Sequence, residues 1–227
     1  MTRAPVIAID GPSGSGKGTV AQRVAAALGW HVLDSGALYR LAGLAGARAG
    51  LAPDDQAGHA RIAATMDVRF GSGPGGEPTV LLGGADVTAA IRSETAGNRA
   101  SHVAGFPAVR AALAGRQREF ARPPGLVADG RDMGSVIFPA AVLKVYLTAS
   151  VAERAQRRLK QLRAQGIEVD LAALTQEIAA RDHRDTTRPV APLIAAPGAI
   201  VLDSTRLTPE AVVGRILELA RERGVGA

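Results

Sequence analysis

The stretch Val6-Ile7-Ala8-Ile9-Asp10-Gly11-Pro12-Ser13-Gly14-Ser15-Gly16-Lys17-Gly18-Thr19 decides the fold. Val6–Ile9 is a short apolar run that breaks at Asp10-Gly11-Pro12, the mark of a buried strand ending in a loop. From Lys17 onward, Val20, Val24, Ala27 and Leu28 recur at helical spacing, and Gly29 supplies a stop. Between strand and helix stand Gly11, four residues, then Gly16-Lys17, the spacing of a phosphate-cradling loop. Glycines let the backbone turn its N–H groups toward oxygen anions, and the helix that follows points its positive end at the same place. Lys17 suits the outer phosphates of a nucleotide, and a hydroxyl can help hold Mg²⁺. Gly18 follows the lysine, so that hydroxyl comes one place later than in the strict pattern, at Thr19.

Outward from the loop, strands and helices alternate. His31-Val32-Leu33 reads as a second strand, with Asp34-Ser35-Gly36 behind it and a helical run to about Ala49. Leu126–Ala128 leads into Asp129, Val142–Leu147 is the clearest strand, and Ile200–Leu202 is the last. Pro209–Arg221 then forms a helix capped by Thr208. Five short apolar strands separated by helices predict a five-stranded parallel sheet wrapped on both faces, an α/β fold. The middle breaks the rhythm. After a helix over Pro53–Thr65, Asp67–Phe70 and Thr79–Leu82 alternate like strands, with a turn at Gly71–Gly76 and a third strand at Asp86–Thr88. These pieces predict a small antiparallel β insert.

The 227 residues suit one domain with an inserted part, and 47% apolar against 21% charged residues excludes wholesale disorder. Aromatics make up only 3%, which argues against base-stacking platforms. No apolar run approaches a membrane span, and nothing at the start reads as a signal peptide. The absence of cysteine excludes disulfides, thiol catalysis and thiolate metal sites, and fits a reducing cytoplasm. The net charge of +6 raises the question of a nucleic-acid partner. However, the 24 Arg are spread along the chain, and the three Lys (Lys17, Lys144 and Lys160) form no basic block. The expectation is neither a nucleic-acid nor a membrane partner.

A phosphate loop does not name a reaction. Further residues narrow it. Asp34-Ser35-Gly36-Ala37-Leu38-Tyr39-Arg40 and Asp129-Gly130-Arg131-Asp132 each lie just past an apolar strand, where α/β proteins place ligands. Asp129 stands where a strand-end aspartate reaches Mg²⁺ through water, although a turn with a local Arg–Asp pair explains the tetrapeptide about as well. Arg154, Arg157 and Arg158 share one helical face. If the next helix continues through residue 188, Arg181, Asp185 and Arg188 share another. A solvated ion-pair face would also account for them. Convergent arginines are what the meeting of two polyanions demands.

The sequence resembles the bacterial cytidylate kinases, in the nucleoside-monophosphate kinase family, over essentially its whole length. The matching blocks are Ile9–Thr19, Asp34–Arg40, Phe106-Pro107 with Val109-Arg110, Asp129–Gly134, Arg184–Arg188 with Pro192-Leu193, and Leu202–Thr205. Gly198 departs from the family, which tends to have Asp there. The inserted hairpin fits, because this family carries one in its monophosphate-binding part.

The resemblance implies a single P-loop kinase domain over 1–227. Its core would be about 1–50, 103–153 and 189–227, its insert about 51–102, and its helical lid about 154–188. The implied activity is transfer of the ATP γ-phosphoryl group to CMP or dCMP. Gly11, Pro12, Ser13, Gly14, Ser15, Gly16, Lys17, Gly18 and Thr19 would bind ATP, joined by Arg157 and Arg158. Arg154, Arg157 and Arg158 fall in the lid without a separate role for each. Arg40, Arg131 and Arg188 would grip the acceptor phosphate, with Ser35 beside it. Ser101, Arg110 and Asp132 would read cytosine, and Arg181 and Asp185 would contact the sugar. Lys17, Arg131, Arg188 and Asp129 would be catalytic, with Mg²⁺ held by Thr19 and, through water, by Asp129. A cytoplasmic monomer is expected by family resemblance. The rival readings are a kinase for UMP, AMP or shikimate, and a basic nucleic-acid-binding ATPase.

Overall fold

The computed structural model describes residues 4–72, 78–164 and 166–225. In chain order its first elements are β1 (Val6–Asp10), α1 (Lys17–Leu28), β2 (His31–Asp34), α2 (Ser35–Arg48), α3 (Gln56–Thr65), β3 (Val68–Ser72), β4 (Pro78–Leu82) and β5 (Ala85–Asp86). There follow α4 (Glu94–Val103), α5 (Pro107–Arg118), β6 (Leu126–Gly130), β7 (Leu143–Thr148), α6 (Val151–Ala164), α7 (Leu171–Thr187), β8 (Ile200–Asp203) and α8 (Pro209–Glu222). One π-helical turn spans Met133–Ile137. Two compact units result. The first comprises residues 1–34 and 117–227, and the second Ser35–Arg116.

The first unit is built on a five-stranded, all-parallel sheet in the order β2-β6-β1-β7-β8. β1 and β6 are buried at every residue, as unbroken apolar runs require of central parallel strands. β7 alternates between buried and half-buried positions, and the edge strand β8 leaves Val201 exposed. One core layer joins Ile7, Ile9, Val127, Val145 and Leu147 of the sheet to Val20 and Val24 of α1 and to Ile216 and Leu219 of α8. α8 starts as its sequence requires: the Thr208 hydroxyl accepts from Ala211 N–H, and Pro209 occupies the first turn. α6 and α7 pack around their own cluster of Ala155, Leu159, Leu162, Leu174 and Ile178. This helical pair occupies the expected lid region.

The second unit carries the antiparallel sheet β3-β4-β5 beside α2, α3, α4 and most of α5. Two boundaries differ from the sequence expectation for local reasons. α3 begins at Gln56 rather than Pro53, because the Asp55 carboxylate accepts from Gly58 N–H and sets the cap there. β5 ends at Asp86 instead of running to Thr88. The Thr88 hydroxyl, not its backbone, takes the bond from Val80 N–H, while Asp86 Oδ1 accepts from Thr88 N–H. Of the turn expected at Gly71–Gly76, Gly71 lies in β3 and residues 73–76 lie outside the described residues. Among the described residues, no helix is long and apolar enough to cross a membrane.

Candidate active site

The phosphate-type loop leaves the carboxyl end of β1, where the strand connections diverge. The chain passes from β1 through α1 to β2 on one side, while β7 leads to β8 on the other. Open α/β sheets place ligands at such a crevice. Gly11 is forced by the fold, since a Cβ there would lie 2.0 Å from the carbonyl oxygen of Leu147 at the end of β7. Gly16 takes a left-handed conformation, φ 93°, directly before α1, so the first turn of that helix opens onto the loop. Lys17 is buried, and its Nζ donates to Pro12 O at 2.7 Å. The Ser15 hydroxyl donates to the same carbonyl at 3.1 Å. Thr19 stays exposed on the first turn of α1.

Strand register gathers three carboxylates at this end of the sheet. Asp129 pairs with Ile9 and with Asp34, and Asp10 lies opposite Gly130 and Tyr146. A Cβ at Gly18 would stand 3.5 Å from Asp129 Oδ2, which puts that carboxyl over the start of α1. Burial pushes the Asp129 carboxyl up to about 7, against the pull of Lys17. Burial likewise pushes the Lys17 ammonium down to about 7, with Arg131 adding to the effect and Asp129 opposing it.

The arginines supply the complementary charge. Arg131 Nε donates to Asp185 Oδ2 at 3.1 Å. Burial alone would lower the Arg131 pKa, but Asp185 and Asp129 outweigh it and raise it. This pair brings the segment after β6 and the last turns of α7 together. Arg181 is half-buried and close enough to Lys17 to lower its pKa. Asp132, just past Arg131, is buried.

Arg188 does not extend the α7 face. The helix stops at Thr187, and Arg188 takes extended backbone at φ −61°, ψ 140°. Pro189 is the reason, since a proline crowds the residue before it out of the helical region. The Arg188 guanidinium instead donates from Nε to Ala191 O at 2.6 Å. The three arginines of α6 also differ from one another. Arg154 is buried, donates to Ala149 O and Ser13 O, and forms a two-pronged pair with Asp182. Arg157 pairs with Glu153 and donates to Ser15 O and to both the hydroxyl and the carbonyl of Ser204. Arg158 donates to Gln161 on its own helix. Arg154 and Arg157 therefore tie α6 to the backbone of the phosphate-type loop.

In the second unit, Ser35 is buried at the start of α2 and Ser101 is half-buried in α4. Arg40 donates to Ile91 O at 2.7 Å and to Ser93 O at 3.1 Å. Arg110 is buried, donates to Ala104 O and lies over the Tyr39 ring at 5.6 Å.

Three residues of the first unit escape the sequence reading. Asp10 Oδ1 and Oδ2 accept from Met133 N–H at 2.7 Å and Gly134 N–H at 2.8 Å. Burial pushes its carboxyl up to about 6 against those two bonds. Its signal was visible: an acid closing an apolar strand is too costly to bury without partners. Asp182 had no signal beyond its place beside Arg181. Ser204, buried within the Leu202–Thr205 block, accepts from Arg157, and its hydroxyl lies 3.2 Å from Ser15 O and 3.0 Å from Thr148 O, two carbonyls that share its single proton.

Comparison with known proteins agrees with this geometry. The family model described as "Cytidylate kinase" matches residues 7–222. The cytidylate kinase of Marinomonas sp. is 51% identical over 225 residues, 99% of each chain. That of Pseudomonas savastanoi pv. phaseolicola is 55% identical over 224 residues, 98% of each chain. That of Bordetella bronchiseptica is 55% identical over 218 residues, 96% of each chain. With half or more of its residues identical over nearly its full length, and a phosphate-type loop at the end of a parallel sheet, this chain belongs to the cytidylate kinase family.

Proposed function

We propose that this protein transfers the γ-phosphoryl group of ATP to CMP and dCMP, releasing ADP and CDP or dCDP. The observation that carries this reading is the family match over residues 7–222, in a chain whose charged groups converge at the end of its parallel sheet. A phosphate oxygen of CMP attacks the γ-phosphorus as the bond from that phosphorus to the β–γ bridging oxygen breaks. No covalent enzyme intermediate is needed, so positioning and charge neutralisation carry the catalysis. The loop Gly11–Thr19 cradles the ATP phosphates, and Lys17 exchanges Pro12 O for phosphate oxygens. Arg131 and Arg188 hold the acceptor phosphate with Arg40 and Ser35. Arg181 and Asp185 contact the sugar, while Asp132, Arg110 and Ser101 read the base. The α6–α7 pair acts as a lid that excludes water and limits ATP hydrolysis.

Asp129 stands over the start of α1 and Thr19 lies in the first turn of that helix; two hard oxygens are a sparse donor set that fits an ion retaining most of its waters. They would hold Mg²⁺, which supplies neutralisation of phosphate charge when bound. The protein acts as a cytoplasmic monomer in this reading, as its lack of cysteine and its family resemblance suggest.

Base choice provides the test. Cytosine presents an amino donor beside an N3 acceptor, whereas uracil presents a carbonyl acceptor beside an N3–H donor. An ionised Asp132 accepts from the first pattern and repels the second. Asp132→Asn should lose much of its CMP activity. It should also narrow the CMP-to-UMP ratio of kcat/KM at least roughly tenfold, about 1.4 kcal/mol of differential transition-state binding. If both activities fall equally, Asp132 serves the phosphates or the metal and does not read the base. A panel of CMP, dCMP, UMP, AMP and shikimate in an ADP-release assay separates this reading from a kinase for another acceptor.

The lowered Lys17 pKa gives a second expectation. Burial holds the Lys17 ammonium well below an ordinary lysine, so the free protein keeps it less fully charged as the pH rises toward 8. Phosphates arriving around it restore its charge. ATP binding at pH 8 should therefore take up protons, and more of them than binding near pH 6. Calorimetric titration in two buffers of different ionisation enthalpy measures the uptake. A binding heat independent of buffer at pH 8 would mean that Lys17 is already charged in the free protein.

A further inference from the structure

Asp10 belongs neither to the phosphate loop nor to the residues expected to touch substrate, yet it is buried at their junction. Its carboxylate accepts from the N–H groups of Met133 and Gly134, at 2.7 and 2.8 Å, across 123 and 124 residues of chain. Those two donors open the π-helical turn Met133–Ile137, which has no side-chain cap of its own. Asp10 therefore caps that turn from another strand, filling the place a local serine or aspartate usually takes.

The consequence reaches the residue before the turn. The peptide unit joining Asp132 to Met133 is held at both ends. Its carbonyl oxygen accepts from Val136 N–H at 2.9 Å and from Ile137 N–H at 3.2 Å. Its N–H is the one bound by Asp10 Oδ1. Asp132 itself sits at φ −148°, ψ 24°, in neither the helical nor the extended well, so its local preference does not hold it there. Its neighbours do. Met133 is fully buried, which leaves no water to replace Asp10 as acceptor. Gly134 is confined as well, since a Cβ there would meet the Lys144 side chain at 3.2 Å and Ala196 at 3.3 Å.

We infer that Asp10 is a positioning residue for the acceptor nucleotide: by pinning the Asp132–Met133 peptide it sets the direction of the Asp132 and Arg131 side chains. This rests on the proposed roles of Asp132 and Arg131 toward CMP. Asp10 acts through them and touches no substrate. Because it also ends β1, one carboxylate links the strand that launches the phosphate loop to the segment that presents the acceptor-binding pair.

Asp10→Asn keeps the shape but turns an amide donor toward one of two buried N–H donors, so one bond is lost and a donor faces a donor. The test is steady-state kinetics of wild type and Asp10→Asn with CMP, UMP, AMP and shikimate, together with thermal unfolding. On the acceptor the wild type prefers, KM should rise at least about tenfold, while KM for ATP stays within about twofold. With CMP as that acceptor, the CMP-to-UMP ratio should narrow as it does for Asp132→Asn. A folded variant with unchanged acceptor KM and only a lower melting temperature overturns the proposal, as does an equal rise in KM for ATP. If the asparagine variant does not fold, Asp10→Glu, which keeps both oxygens one methylene displaced, carries the same comparison. Wild-type preference for another acceptor would count against the CMP reading alone, because the Asp10 comparison is then made on that acceptor.

Discussion

Replacing Lys17 by alanine is expected to abolish phosphoryl transfer while the protein stays folded. The ammonium lies buried against Pro12 O with Asp129 nearby, and burial has already pushed its pKa far below that of a free lysine. Keeping a cation there costs the free protein stability, so its removal does not threaten the fold. What it supplies is charge at the β- and γ-phosphates as the γ-phosphoryl group moves. A loop of glycines and serines offers only backbone dipoles in its place. Single donors of this kind are worth roughly 10²–10³ in kcat, and a full charge in a dry site is worth more, so a loss of at least about 10³-fold, some 4 kcal/mol, is expected. Circular dichroism should match wild type, and ATP binding should weaken. Near-normal turnover in a folded variant would show that this loop is not the catalytic phosphate site.

How much of the site was legible depended on how local each interaction is. The phosphate-type loop could be read whole, because its glycines, its lysine and its helix start are consecutive, and close approach to Leu147 O follows wherever a parallel neighbour flanks such a strand. The ends of α1 and α8 were legible for the same reason, through Gly29 and Thr208. The parallel sheet could be inferred from apolar strands alternating with helices, but not its strand order. Partners distant in the chain could not. Asp10 finds Met133 across 123 residues, and Arg154 finds Asp182 across 28. Helical periodicity grouped Arg154, Arg157 and Arg158 on one face but could not say that the first two turn to loop carbonyls and the third to Gln161. The i, i+4, i+7 pattern also carried Arg188 one residue too far, where Pro189 had already signalled the end of the helix.

Arg188→Met should lower kcat/KM for CMP by about 10²–10³-fold, because a guanidinium that grips a phosphate has no neutral substitute. The local structure explains why this arginine is held in place. Its Nε donates to Ala191 O at 2.6 Å, which fixes the plane of the guanidinium. Ala191 itself adopts φ 48°, a left-handed conformation that a non-glycine residue takes at some cost, and such costs concentrate at working sites. Arg188→Lys distinguishes charge from geometry. A lysine restores the charge but not a planar, two-pronged donor, so it should recover only part of the loss. KM for ATP should stay near the wild-type value in both variants if Arg188 grips the acceptor. If instead Arg188 serves only to hold the Ala191 turn, methionine and lysine alike should be nearly silent in every kinetic constant. Steady-state kinetics on folded protein with CMP varied at saturating ATP, and then ATP varied at saturating CMP, decides between the two.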